Sequence, residues 1–169
     1  MEKWLYLPLL LPQTSFLFGL QIFLIWLRLD GLYITLIWVH MLFVFPYVML
    51  TLGPTWRRFD RHYTDIAATL GASKIRQLFR IKLPILLTPI MTAFAIGFSV
   101  SCALYLPTIF ASNGRMVTLT TEAVTLASGA SRQSLGVASI MQMILPLVVF
   151  LLCDAVIRWR FGRFRHFRA

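Results

Sequence analysis

Residues 84–106 read PILLTPIMTAFAIGFSVSCALYL, a stretch with no Asp, Glu, Lys or Arg. A helix needs about 20 apolar residues to cross roughly 30 Å of hydrocarbon, and this stretch supplies them. Residues 4–27, 32–52 and 135–153 are likewise free of charge. The first of these is interrupted by Pro8, Pro12, Gln13, Thr14 and Ser15, so its unbroken helix is expected from about Phe16. An open sheet would leave backbone groups unpaired in lipid, and the alternation of a membrane barrel strand is missing from the sequence. The expected fold is an all-α integral membrane protein with four transmembrane helices.

Composition points the same way. Of the 169 residues, 59% are hydrophobic and 13% are charged, where an ordinary soluble domain carries about 25% charged residues. The length suits one domain, and a soluble domain of this size buries at best about two thirds of the surface its unfolded chain exposes. The apolar surplus must face lipid.

A net charge of +10 would suggest nucleic acid in a soluble protein. Here the basic residues flank the apolar runs. Lys3, then Arg57, Arg58, Arg61, Lys74, Arg76, Arg80 and Lys82, then Arg158, Arg160, Arg163, Arg165 and Arg168 fall on one side of four crossings. Arg28, Arg115 and Arg132 fall on the other. This bias places both termini and the 54–83 loop in the cytoplasm, with 107–134 as a periplasmic loop and 154–169 as a basic cytoplasmic tail. No nucleic-acid partner is expected. The tail RWRFGRFRHFRA is either an anionic-lipid anchor or an ordinary basic flank.

Cys102 and Cys153 lie inside apolar runs without CxxC or Cys/His spacing, so they are expected to be small buried hydrophobes. Met1-Glu2-Lys3-Trp4-Leu5 has no small-residue cleavage site, so the first apolar run is expected to be retained. In the outer loop, Thr118-Leu119-Thr120-Thr121-Glu122 is expected to cap a short helix through Ala127.

The cytoplasmic segment 53–84 reads GPTWRRFDRHYTDIAATLGASKIRQLFRIKLP. Ile66 and Leu70, then Ile75, Leu78 and Phe79, recur at helical spacing on either side of Gly71. A glycine there tolerates positive φ, which ends one helix and turns the chain. Ser73 is placed to cap the next helix, and Pro84 to open the third span. The expected object is two short helices meeting at a bend, with an apolar face for neighbouring helix ends or for a partner protein.

This segment resembles the cytoplasmic loop of the MetI-like (type I) permease subunits of ABC importers, whose pattern is E-A-A-x3-G-x9-I-x-L-P. The match runs through Asp65, Ala67, Gly71, Ile81, Leu83 and Pro84; Asp65 stands for the glutamate and Ile66 for the first alanine. The resemblance extends from about Pro8 to the tail, including Gly114 to Val124. It implies that the 65–84 loop, with Ile75 and Phe79 on its face, couples to a separate ATP-binding subunit. It further implies a second permease module, homo- or heteromeric, a periplasmic solute-binding protein, and a multi-pass location in a bacterial inner membrane. Modules of this family usually have five or six spans. A chain with four is expected to be a fragment, a truncated reading frame or half of a fused permease.

No cofactor is expected, and no enzyme activity: the sequence has no GxxxxGK[ST] phosphate cradle and no paired carboxylates, Ser/His/Asp set or metal constellation. Gln21, His40, Gln142 and Asp154 are the costly residues in or beside the spans. The two glutamines suit hydrogen bonds between helices, and His40 suits either a bond to a neighbouring helix or a substrate contact. Asp154 suits a local pair with Arg158. Thr88, Thr92, Gly97, Ser99, Ser101 and Cys102 suit close helix contact or the wall of a hydrated path. The competing reading is a non-transport membrane scaffold or assembly protein with a cytoplasmic docking loop. A self-contained secondary transporter would call for an inverted repeat, which four unlike spans do not offer.

Overall fold

The computed structural model describes residues 13–129 and 132–162, which are helical with no strand among them. Helix α1 is Gln13–Trp26, α2 Tyr33–Arg57, α3 His62–Thr69 and α4 Lys74–Gln77. A π-helical turn, Leu78–Lys82, leads into α5, Leu83–Ile85. Then follow α6 Leu87–Ala103, α7 Tyr105–Ser112, α8 Leu119–Ser128 and α9 Arg132–Gly162.

Helices α2 and α9 are long and apolar enough to cross a membrane. The pair Lys74–Ile85 and Leu87–Ala103 meets the same test when taken together, but it is bent by 72°. The described part of the first expected span, Thr14–Trp26, is shorter, and residues 4–12 of that span lie outside the described residues. The tail residues 163–169 lie outside them as well.

Helices α2 and α6 run antiparallel: His40 meets Ser101, and farther along Val44 and Val48 meet Gly97. A Cβ built on Gly97 would stand 3.0 Å from Val48 Cγ2 and 3.1 Å from Val44 Cγ1, so only hydrogen fits there without movement. Ala93 and Ala95 are buried on the same helix. Without a hydrophobic drive between helices in lipid, such small residues let backbones approach and gain dispersion contacts.

The expected third span ends earlier than its apolar run. Leu104, at φ −75° and ψ 83°, stops α6, and α7 starts at the next residue. Pro107 accounts for the break, because its ring would clash with the carbonyl four residues back and it has no N–H to offer that carbonyl. In the first turn of a new helix the same proline costs nothing. Residues 107–112, expected at the start of a polar loop, are therefore helical, and Pro107, Thr108, Ala111 and Ser112 are buried.

Helix α7 is a keystone of the core. Leu104 and Ala111 cluster with Leu17 and Leu24 of α1 and with Val39 and Phe43 of α2. Edge-to-face ring pairs, Phe16–Phe43 at 5.9 Å and Phe18–Phe110 at 5.0 Å, join these helices. The α1–α2 turn is tied down by the Gly31 N–H donating to the Ala111 carbonyl at 3.2 Å. Helix α8 begins as its sequence suggests: Thr118 and Thr121 form a reciprocal capping box, and the helix runs to Ser128.

Gly97→Ala should destabilise the protein by about 1–3 kcal/mol through overpacking, read as a lower melting temperature in detergent. Adding Val44→Ala should recover part of the loss. A Gly97→Ala variant that melts with the parent would show that the α2–α6 contact has slack.

Candidate functional site

Two regions concentrate the features singled out in the sequence. The first is the bend at residues 62–86. Helix α3 closes with the Ala72 N–H donating to the Ala67 carbonyl at 2.9 Å and the Gly71 N–H to the Ala68 carbonyl at 3.0 Å. This paired pattern needs a left-handed residue, and Gly71 sits at φ +78°. Ser73 then caps α4, its Oγ accepting from the Arg76 N–H at 3.4 Å. The Gln77 side chain closes the corner by donating to the Ala72 carbonyl at 2.8 Å. Glycine turn and serine cap both lie where the spacing puts them.

The π-helical turn after Gln77 is not signalled by apolar periodicity. Its physical cause is Pro84, which removes the N–H that an α-helix would give to the Arg80 carbonyl and whose ring crowds that carbonyl. Widening the turn relieves the crowding, and the Leu83 N–H donates instead to the Leu78 carbonyl. Pro84 therefore lies in short α5, and the long helix opens beyond the bend, at Leu87. Lys82 anchors this segment to the end of α2, its Nζ 6.0 Å from the Trp56 ring centre and 5.7 Å from that of Phe59.

The sequence-selected residues divide by environment. Ala67 is buried, Ile81 and Pro84 are half-buried, and Asp65 is exposed in the first turn of α3. Ile66 is 59% exposed, Leu70 82%, Ile75 71% and Phe79 62%. This face of large apolar side chains, held at a fixed corner, has no cover among the described residues. Leu83 and Gly71 are exposed as well.

The second region is a polar junction inside the bundle. His40 on α2 reaches Ser101 Oγ of α6 through Nδ1 and Thr108 Oγ1 of α7 through Nε2, both at 2.9 Å. The Thr108 hydroxyl donates to the Leu104 carbonyl. On the neighbouring side, the Thr120 hydroxyl of α8 donates to the Cys102 carbonyl, and Gln142 Nε2 of α9 donates to Thr120 Oγ1 at 3.3 Å. His40 and Gln142 thus make the interhelical bonds their residue types suggest. Gln21 is half-buried and has no hydrogen-bond partner among the described residues. Asp154 pairs with Arg158 at 2.7 Å one turn along the helix. Sequence reasoning missed the bonding roles of Thr108, which lies beside Pro107 in a stretch taken for loop, and of Thr120, which was read only as part of a helix start.

His40→Leu should cost about 1–3 kcal/mol, because the hydroxyls of buried Thr108 and half-buried Ser101 lose a partner. In a double-mutant cycle with Ser101→Ala, the two losses should fall well short of adding. Simple additivity of the melting shifts would mean that the His40–Ser101 bond is not made.

No family model matches the chain, and no solved structure matches it. Two curated proteins are similar in sequence. The inner membrane ABC transporter permease protein YnjC of Escherichia coli K12 is 42% identical over 158 residues, 94% of this chain. The spermidine/putrescine transport system permease protein PotC homolog of Mycoplasma pneumoniae is 27% identical over 134 residues, 79% of this chain. The chain spans 31% of the length of the first and 45% of the second. Over 94% of its length, the chain is similar to a part of a protein named as an ABC transporter permease.

Proposed function

We propose that this chain forms part of the transmembrane pathway of an ABC importer of the MetI-like type and couples it to a separate ATP-binding subunit through residues 65–84. The observation that carries this reading is the corner at Gly71, where Ile66, Leu70, Ile75 and Phe79 stand exposed. Each contributes roughly 1.5–3 kcal/mol when fully buried by a partner. Similarity to two proteins named as permeases supports the reading; nothing in those names favours a scaffold. A second permease module, a periplasmic solute-binding protein and the lipid of a bacterial inner membrane complete the assembly. Nucleotide would act by favouring one access state over the other, through an ATPase that binds the two states of this corner unequally.

The basic residues favour a cytoplasmic corner and an outer α7–α8 connection. In a background lacking Cys102 and Cys153, Val117→Cys should react with an impermeant thiol reagent in intact cells, and Ser73→Cys should not. Both positions are exposed, whereas the nearby Ser112 is fully buried and unsuited to such a probe. The opposite labelling pattern would invert the orientation.

No atom lies within 4 Å of a Cβ built on Gly71, so a substitution there is resisted by backbone conformation alone. Gly71→Val should be strained by about 1–2 kcal/mol, re-aim the two helices and lower co-purification of the ATPase, with insertion unchanged. Gly71→Asn should be milder, since Asn tolerates left-handed φ. Phe79→Ala should weaken the same association through lost burial. Recovery of the ATPase at parental levels with both Gly71→Val and Phe79→Ala would defeat the coupling role.

A further inference from the structure

The polar junction borders a cavity of about 180 Å³, lined by His40, Ser101, Cys102, Thr108, Thr118, Thr120 and Gln142 with three leucines. Its hydrogen-bond capacity can be counted. A hydroxyl has one proton and two lone pairs. Thr108 gives its proton to the Leu104 carbonyl and Thr120 gives its proton to the Cys102 carbonyl. The contact between His40 Nε2 and Thr108 Oγ1 therefore needs its proton from the ring, which assigns the Nε2–H tautomer to a neutral imidazole. Nδ1 is then an acceptor, and it takes the Ser101 proton. Gln142 spends one N–H on Thr120 Oγ1.

What remains at the wall is mostly acceptor capacity: lone pairs on Ser101, Thr108 and Thr120 and the Gln142 carbonyl oxygen, against one Gln142 N–H and the weak donor of the Cys102 thiol, the Thr118 hydroxyl being engaged with Thr121. No Asp, Glu, Lys or Arg lines the cavity. A buried ion without a counter-charge is far costlier than a buried hydroxyl with partners, so an uncharged occupant is favoured. An excess of acceptors favours an occupant rich in O–H donors. At about 30 Å³ per water, the space equals about six waters, the scale of a small polyol.

We propose that this cavity binds a small uncharged polyol, or the hydroxyl-bearing end of a longer one, through Ser101, Thr108, Thr120 and Gln142. Taking the bound solute as cargo in transit rests on the permease reading above; the binding itself does not.

Cys102 supplies a native reporter, because this residue lines the same wall. In membrane vesicles carrying the full chain with Cys153→Ala, methyl methanethiosulfonate labelling of Cys102 would be followed by mass spectrometry. Erythritol should slow labelling about tenfold at about 100 mM if its Kd is near 10 mM, following the factor 1 + [L]/Kd. Methylammonium and sulfate at equal concentration should not slow it. Gln142→Leu or the similarly long Gln142→Met should abolish the protection, measured for each variant as the ratio of its own labelling rates with and without erythritol. Absence of protection by erythritol would show a cavity that holds water alone and would end the proposal. Equal protection by methylammonium or sulfate, or protection that persists in both Gln142 variants, would also overturn it. Protection without any co-purifying ATPase would defeat the permease reading and leave the site standing; an ATPase partner without protection would do the reverse.

Discussion

The close approach of α2 and α6 at Gly97 sets the geometry of everything around it. With a hydrogen facing Val44 and Val48, the two backbones come near enough for His40 to meet Ser101 about one turn farther along. The same pairing carries Trp56, at the other end of α2, toward the segment that bears Lys82. Lipid offers helices no hydrophobic reward for meeting one another, so van der Waals fit and buried hydrogen bonds must hold them. Here the fit comes from glycine and alanine and the bonds from one histidine. Neither would reach its target if the helices stood apart by the width of a larger side chain.

Local backbone chemistry was the legible part of this protein. Gly71 as a left-handed turn, Ser73 as a helix cap, Thr118 as the start of α8 and the Asp154–Arg158 pair all follow from rules that act within a few residues. Apolar runs likewise marked α2 and α9. What escaped sequence reading was where a continuous apolar run folds back. Nothing apolar distinguishes Leu104 from its neighbours, and only Pro107 hinted at the break that makes α7 a buried element. Pro84 was similarly read as a helix opener, when its missing donor instead widens the turn before it. The partners of His40 depended on that fold-back, since Thr108 comes beside it only because α7 turns into the core.

The distribution of burial separates two kinds of surface. The core is small and lies among α1, α2 and α7. Helix α9 is almost uncovered along its apolar length, with Met143, Leu151 and Leu152 among its exposed side chains. Such a helix suits hydrocarbon on its outer face, where apolar side chains need no protein cover. The corner at Gly71 differs, because its apolar residues are interleaved with Lys74, Arg76 and Arg80. Charged neighbours of that kind belong to a surface that meets water or another protein.

The π-helical turn at Leu78–Lys82 carries one further consequence. An α-helix advances about 100° per residue, so accommodating one additional residue in a widened turn shifts the rotational phase of everything before it relative to everything after it. Phe79 and the corner are thereby set out of step with α5 and the bend that follows. The segment behaves like a shaft with an offset key: this turn sets the angle at which the apolar corner faces outward apart from the angle at which Ser101 faces His40.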